Sequence, residues 1–448
     1  MFPYLPHTKE DRKEMMERIG IDSIDQLFND IPESIRLKDG LKLDRPYSEL
    51  EIKRDCRKLS QKNSNFEDNA CFIGAGYYDH YIPSVIDQML LRSEFYTAYT
   101  PYQAEMSQGY LQAIFEFQTM IAELTGLDMA NASMYDGATA TAEAAFMAIN
   151  VKRKRNTILI SKAVHPETRQ VCQTYMDNSD FNLVEVEVKD GKTDLNDLES
   201  KLTDDVAGVI YQYPNFLGVI EDLEPVVEKV HQNKSLMIVN ADPISLGLLK
   251  SPGELGADIA IGDAQSLGNP INFGGPGLGY FATRDKYKRY IPGRIVGETI
   301  DDDENRGYVL TLQTREQHIR RERATSNICS NQALNALAAT IYLSLMGKQG
   351  LRQVAEDSFK KAHYLMEGID KLDGFNVKYK APFFKEFVIE TEFDIDQVME
   401  KLEENNILGG YQLNADYSKD SDAFLVAVTE KRTRAELDQY IQVLEGLK

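Results

Sequence analysis

LMIVNADPISLGLLKSPGELGADIAIGDAQSLGNPINFGGPGLGYFAT, residues 236–283, holds three β-rich runs: LMIVNAD (236–242), ADIAIGD (257–263) and GLGYFAT (277–283). The first two are almost continuously apolar, as expected of strands covered on both faces. Upstream lie VAGVIYQYP (206–214), FNLVEVEV (181–188) and TILIS (157–161), with helical patterns at 166–177, 192–203 and 222–232 between several of them. Strands alternating with helices predict an α/β domain with a large, mostly parallel sheet. Sites on such sheets sit at the carboxyl ends of the strands.

Helix signals at 83–92 and 108–125 precede this region. After it, an alanine- and leucine-rich helix at about 330–346 stops at Gly347. A second helix at 349–371 leads into FNVKY (375–379), KEFVIET (385–391), a helix at 394–405, ILGGYQL (407–413), AFLVAVT (423–429) and a helix at 432–446. This tail reads as a small α+β domain. At the other end, residues 8–19 and 22–29 form two short helices, with Thr8 and Ser23 as N-caps and Gly20 and Pro32 as stops. The expected division is an N-terminal arm and connector (1–70), a large α/β domain (71–330), and a bridging helix with the small domain (331–448).

With 448 residues and 42% hydrophobic content, the chain supports one large and one smaller core. A formal charge of −21 argues against nucleic acid or an anionic membrane as partner. No apolar run approaches the ~20 residues of a membrane span, and the start is charged where a signal peptide would be greasy. The cytoplasm is therefore expected. Cys56, Cys71, Cys172 and Cys329 form no CxxC cluster, so zinc is not expected. They read as buried, reduced thiols.

Several segments have the composition of a site. Ser133, Gly137, Thr139 and Thr141 flank a turn that opens an alanine-rich helix, whose free N–H groups suit an anion such as phosphate. A plain cap by Asp136 or Thr139 is the competing reading. His165, after TILIS, can stack on a planar ring or cap the helix that Pro166 begins. Asp242, after LMIVNA, can pair with a protonated ring nitrogen, although Asp-Pro is also a common turn. The loop Asn272 to Gly277, with Gly274 and Gly275, permits close backbone approach. It matches neither a P-loop nor a GxGxxG turn, which disfavours ATP and NAD. Tyr96, Tyr99, Tyr102, Gln103 and Glu105 make a polar-tipped loop that faces either a substrate or an interface. Arg315 to Arg323 is the dense basic stretch of an acidic chain, either a solvated helix or a binding face for carboxylates.

Taken together, FIGAGYYDHYIPSV (72–85), SEFYTAYTPYQAEMSQG (93–109), NASMYDGATA (131–140), SPGELGADI (251–259), GGPGLGYFAT (274–283) and TREQHIRRERATSNICSNQAL (314–334) resemble the alpha-subunit family of the glycine cleavage system P-protein. The resemblance implies a pyridoxal-phosphate (PLP) transferase fold of the type I aminotransferase kind. It also implies a role in glycine decarboxylation, with transfer of the aminomethyl group to the lipoyl arm of H-protein. In split P-proteins a second subunit carries the PLP lysine in a His-Lys-Thr-Phe motif, and the expected assembly is an α2β2 heterotetramer.

Between Ser251 and Asp285 this chain has no lysine. Alignment on GGPG places Gln265 at the lysine position, and alignment on Pro252-Gly253 places Ser266 there. An imine requires an amine nucleophile, which neither residue supplies. Lys250 and Lys286 only flank the stretch. The expectation is that PLP is bound covalently by the partner subunit and not by this chain. Tyr96, Tyr99, Tyr102, Gln103, Glu105, Asn272, Gly274 and Gly275 would then reach the shared site, with Ser133, Gly137, Thr139, His165 and Asp242 as remnants of a cofactor pocket.

Overall fold

The computed structural model describes residues 4, 6–37, 40–96, 100–413, 417 and 422–447, without the Thr314 side chain. The chain divides into two units, one ending at Ser64 and one beginning at Asn65.

The first unit carries a helix over Lys9–Ile19, a 3-10 turn over Ile24–Phe28 where a second helix was expected, and a helix over Glu49–Ser60. Thr8 and Asp11 form a reciprocal cap at the first helix, and Gly20 closes it in the left-handed region at φ 81°. Among the described residues of this unit none is buried. Local caps, not a core, define its helices.

The second unit is built on a seven-stranded sheet. In chain order its strands are β1 (Met129–Ala130), β2 (Thr157–Ser161), β3 (Asn182–Val186), β4 (Val206–Tyr213), β5 (Leu236–Ala241), β6 (Ile259–Asp263) and β7 (Gly279–Thr283). Their spatial order is β1-β7-β6-β5-β4-β2-β3. All neighbours are parallel except β7, which runs antiparallel to both β6 and β1. Side-chain alternation sorts the apolar runs onto two faces. Ile158, Ile160, Ile210, Ile238 and Ile261 pack with the alanine-rich helix α2 (Gly137–Val151), which follows helix α1 (Gln108–Thr125). Leu159, Val209, Tyr211, Met237 and Val239 point the other way, onto Val226, Val227 and Val230. Each such side chain contributes about 1.5–3 kcal/mol when fully buried. Alanines on α2 allow the helix to lie close to the sheet and bring its N-terminus to the strand ends.

The run at 181–188 is not one strand. β3 ends at Val186, and Val188–Lys189 pairs with Lys192–Thr193. Asp190 and Gly191 turn between them at φ 52° and 75°, the positive angles a two-residue hairpin turn requires.

Helix α3 (Pro166–Asp177) follows β2. Helix α4 (Ala333–Ile369) is interrupted at Gly347, where φ 57° and ψ −175° leave the helical region. It leads to a four-stranded antiparallel sheet of β8 (Phe375–Val377), β9 (Glu386–Thr391), β10 (Tyr411–Gln412) and β11 (Ala423–Ala427), ordered β8-β9-β11-β10. Phe375, Ile389, Phe424 and Val426 pack there with Leu365, Leu437 and Tyr440. The layout is the expected one, a large, mostly parallel sheet and a small antiparallel one.

Two expectations need correction. Cys71 and Cys172 are buried, but Cys56 and Cys329 are exposed. Cys56 lies on a helix that buries nothing, and Cys329 lies in extended chain before α4. The basic stretch is not one helix either. Arg315 is buried and donates to the carbonyls of Ile291 and Gly293, and the chain then breaks into Gln317–Arg320 and a 3-10 turn at Arg321–Arg323.

Candidate functional site

The carboxyl ends of the central strands open onto a cavity of about 520 Å³. His165 follows β2, Gln212 lies on β4, Asp242 follows β5 and Asp263 ends β6, and all four line it. The N-terminus of α2 forms one end. The segments Ala75 to Tyr78 and Phe384 to Glu386 line it as well.

At the α2 end the chain supplies its own anions. Asp136 is the N-cap, and its Oδ1 accepts the Thr139 N–H at 2.7 Å. Asp263 Oδ2 accepts the Gly137 N–H at 3.1 Å, and its Oδ1 accepts the Gln265 N–H at 2.8 Å. Two of the N–H groups that a helix start leaves free are thus satisfied by carboxylates. Burial pushes the Asp263 carboxyl up to about 6. The packing requires glycine at position 137, because a Cβ there would lie 2.8 Å from the Asp263 backbone nitrogen. Gly277 is equally confined: its Cβ would meet the Tyr77 hydroxyl at 2.7 Å.

At the β5 end stands a buried cation. Lys385 enters just before β9, and its Nζ lies 2.8 Å from Asp242 Oδ2 with 1% of its side chain exposed. The same ammonium sits 3.4 Å from the centre of the Tyr78 ring and 3.1 Å from His80 Nε2. An ammonium can only donate, so His80 Nε2 accepts and Nδ1–H donates to Glu430 Oε2 at 2.5 Å. Glu386 accepts from the Tyr78 hydroxyl at 2.8 Å and from the Ala75 N–H at 2.9 Å. Burial pushes its carboxyl up to about 7, against the pull of Lys385.

Gln265 is buried between these ends. Its Oε1 accepts the Tyr78 N–H at 3.2 Å and its Nε2 donates to the Asn269 carbonyl at 2.6 Å. Ser266 is buried beside it and also lines the cavity.

The structure therefore brings together Gly137, Thr139, His165, Asp242, Gln265, Ser266, Gly274 and Gly275. His165 caps α3 by accepting the Glu167 N–H, and its Nε2 lies 2.9 Å from the Ala75 carbonyl oxygen. Its ring meets Phe216 edge-on. Ser133 is fully buried outside the cavity, where its hydroxyl accepts the Gln332 N–H. Tyr96, Tyr102, Gln103, Glu105 and Asn272 are exposed and do not line it, and Tyr99 lies outside the described residues. Lys250 and Lys286 are ion-paired elsewhere, with Glu224 and Asp258. Sequence reasoning missed Lys385, Glu386, Asp263 and Tyr78. The one signal for Lys385 and Glu386 was a lysine–glutamate pair directly after Phe383-Phe384, at the entry to a strand.

The sequence model of the glycine cleavage system P-protein matches residues 3–444. The chain belongs to the glycine cleavage system P-protein family. It is 53% identical to proteins of Bacillus cereus and Bacillus anthracis, each called probable glycine dehydrogenase (decarboxylating) subunit 1, over 99% of both chains. A crystal structure described as glycine decarboxylase (P-protein) of the glycine cleavage system, in inhibitor-bound form, superposes with a TM-score of 0.90 at 41% identity over 99% of each chain. A NifS-like protein shares the fold alone, with a TM-score of 0.63 at 14% identity over 84% of this chain and 98% of that one. Among the described residues of this P-protein family member, no helix is long and apolar enough to cross a membrane.

Proposed function

We propose that this chain is the subunit of glycine dehydrogenase (decarboxylating) that lacks the Schiff-base lysine and acts only with a lysine-bearing partner subunit. The pair decarboxylates glycine, releases CO2 and passes the aminomethyl group to the lipoyl arm of H-protein, as a cytoplasmic α2β2 heterotetramer. PLP is held covalently by the partner.

One observation carries this reading. The lysine position falls on Gln265 or Ser266, both of which line the cavity, and among the described residues the one lysine lining it, Lys385, is engaged with Asp242. A cofactor of this kind needs an amine for its aldehyde, a free carboxylate for its ring nitrogen and free donors for its phosphate. The residues present do not fit it.

What this chain contributes is then shape and polar contacts at the partner's site. Tyr96, Tyr102, Gln103 and Glu105 are exposed on a single segment, and exposed aromatics of this kind suit an interface. Asn272 and Phe273 adopt left-handed φ of 46° and 56° before Gly274 and Gly275, and Phe273 is 97% exposed. Strained, outward-pointing backbone of this sort marks loops that meet a partner or ligand.

The test is reconstitution. This chain, the lysine-bearing subunit and their mixture are each assayed for exchange of the glycine carboxyl with bicarbonate. Only the mixture is expected to turn over. Full activity of the lysine-bearing subunit alone would leave this chain a structural partner, and activity of this chain alone would overturn the reading.

A further inference from the structure

We infer that Lys385 and Asp263 are built-in substitutes for the two charges of a bound cofactor, and that they keep PLP out of this chain's own cavity. The inference rests on the reading above, in which the partner carries the cofactor, and it deepens it by naming the residues that enforce the exclusion.

PLP presents a protonated ring nitrogen at one side and a phosphate dianion at the other. A carboxylate at the end of β5 suits the first, and the N-terminus of a 15-residue helix suits the second. Both remain in this fold, and each already holds a charge of the protein's own. Lys385 Nζ sits 2.8 Å from Asp242, almost wholly buried. Asp263 Oδ2 takes the Gly137 N–H at 3.1 Å. A ring cation at Asp242 would have to displace an ammonium that also contacts His80 and the Tyr78 face. A phosphate at α2 would have to displace Asp263, which the Gln265 N–H also holds, and would then face Asp136 as well. Like charges at such range in a buried site repel strongly. Removing the lysine alone would leave an acidic pocket. With Lys385 against Asp242 at one pole and Asp263 on the α2 N–H at the other, each pole already has a partner from the chain itself.

The test uses pyridoxine 5′-phosphate, which has the ring nitrogen and phosphate but no aldehyde, so no lysine can trap it. It is titrated calorimetrically into the full wild-type chain, the Lys385→Met/Asp263→Ser variant, and that variant with Asp242→Asn added. The expected result is a gain in affinity on the order of 100-fold for the double variant over wild type, from two charged contacts made available. The Asp242→Asn change is expected to remove the ring-nitrogen share of it, roughly 10-fold, and to leave the phosphate share. Equal affinity of wild type and double variant overturns the inference, as does an Asp242→Asn change that leaves the whole gain in place.

Lys385→Met leaves Asp242 without its cation and destabilises the fold, so Asp263→Ser alone, with Lys385 kept, is also probed with inorganic phosphate. Tighter phosphate binding than wild type is expected, and unchanged binding counts against the substitution at the α2 end. A phosphopyridoxyl-lysine trapped by borohydride in the wild-type chain would instead sink the underlying reading.

Discussion

Lys385 lies 2.8 Å from Asp242, joining the entry of the small antiparallel sheet to the carboxyl end of β5. The two residues are far apart in sequence and come from different sheets, so the pair ties two layers of the fold at the cavity. Replacing Lys385 with Met leaves a nearly buried carboxylate without its partner. The expected cost is about 3 kcal/mol, toward the low end of buried pairs because Asp242 keeps 14% exposure. Lys385→Met/Asp242→Leu should recover most of it. Denaturant unfolding of both variants checks this, and equal losses would show that the pair itself matters little.

Glu386 sets a pH dependence of stability. Burial raises its carboxyl from the ordinary 4.5 to about 7 in the folded chain. The folded state therefore binds the proton more tightly than the unfolded one. This contribution is fully present below the ordinary value and is lost as pH rises through about 7, on the order of 3 kcal/mol. Glu386→Gln should flatten the fall in Tm across that window. A residual slope is expected, since burial also raises Glu143 to about 7 and Asp263 to about 6. Identical slopes for wild type and variant would contradict the account.

Position 137 separates two roles of glycine. Gly137→Ala places a Cβ 2.8 Å from the Asp263 nitrogen and 3.0 Å from the Gly262 carbonyl carbon, and backbone cannot easily move aside. A loss of about 1–3 kcal/mol is expected. Gly109, in α1, would meet nothing within 4 Å, so Gly109→Ala should stabilise by about 0.5–1 kcal/mol. Thermal unfolding of the two variants should shift in opposite directions.

The strands were legible in the sequence because apolar runs and turn residues bounded them sharply: TILIS became β2 without a shift of either end. The cavity's strand-end residues, His165 and Asp242, were legible for the same reason. Lys385 was not, because a lysine before a strand reads as solvated until the tertiary fold brings Asp242, His80 and Tyr78 around it. Asp263 was read only as the end of a strand. Its role depends on α2 arriving at the same place, which no local pattern encodes.

Glu105 and Tyr102 test the contribution to the partner's site. Both are exposed, so Glu105→Gln and Tyr102→Ala should change the stability of this chain by no more than about 0.5 kcal/mol. In the reconstituted enzyme each is expected to lower turnover roughly tenfold or more, the order of one charged or aromatic contact. Unchanged turnover at unchanged assembly would remove this loop from the site.

The central claim is that the nucleophile lies on the partner and the cavity here is closed by the chain's own charges. Borohydride reduction of the reconstituted, PLP-loaded enzyme, followed by peptide mapping of both subunits, tests it most directly. The account predicts a phosphopyridoxyl-lysine in the partner subunit and none in this chain. A modified Lys385 would contradict it.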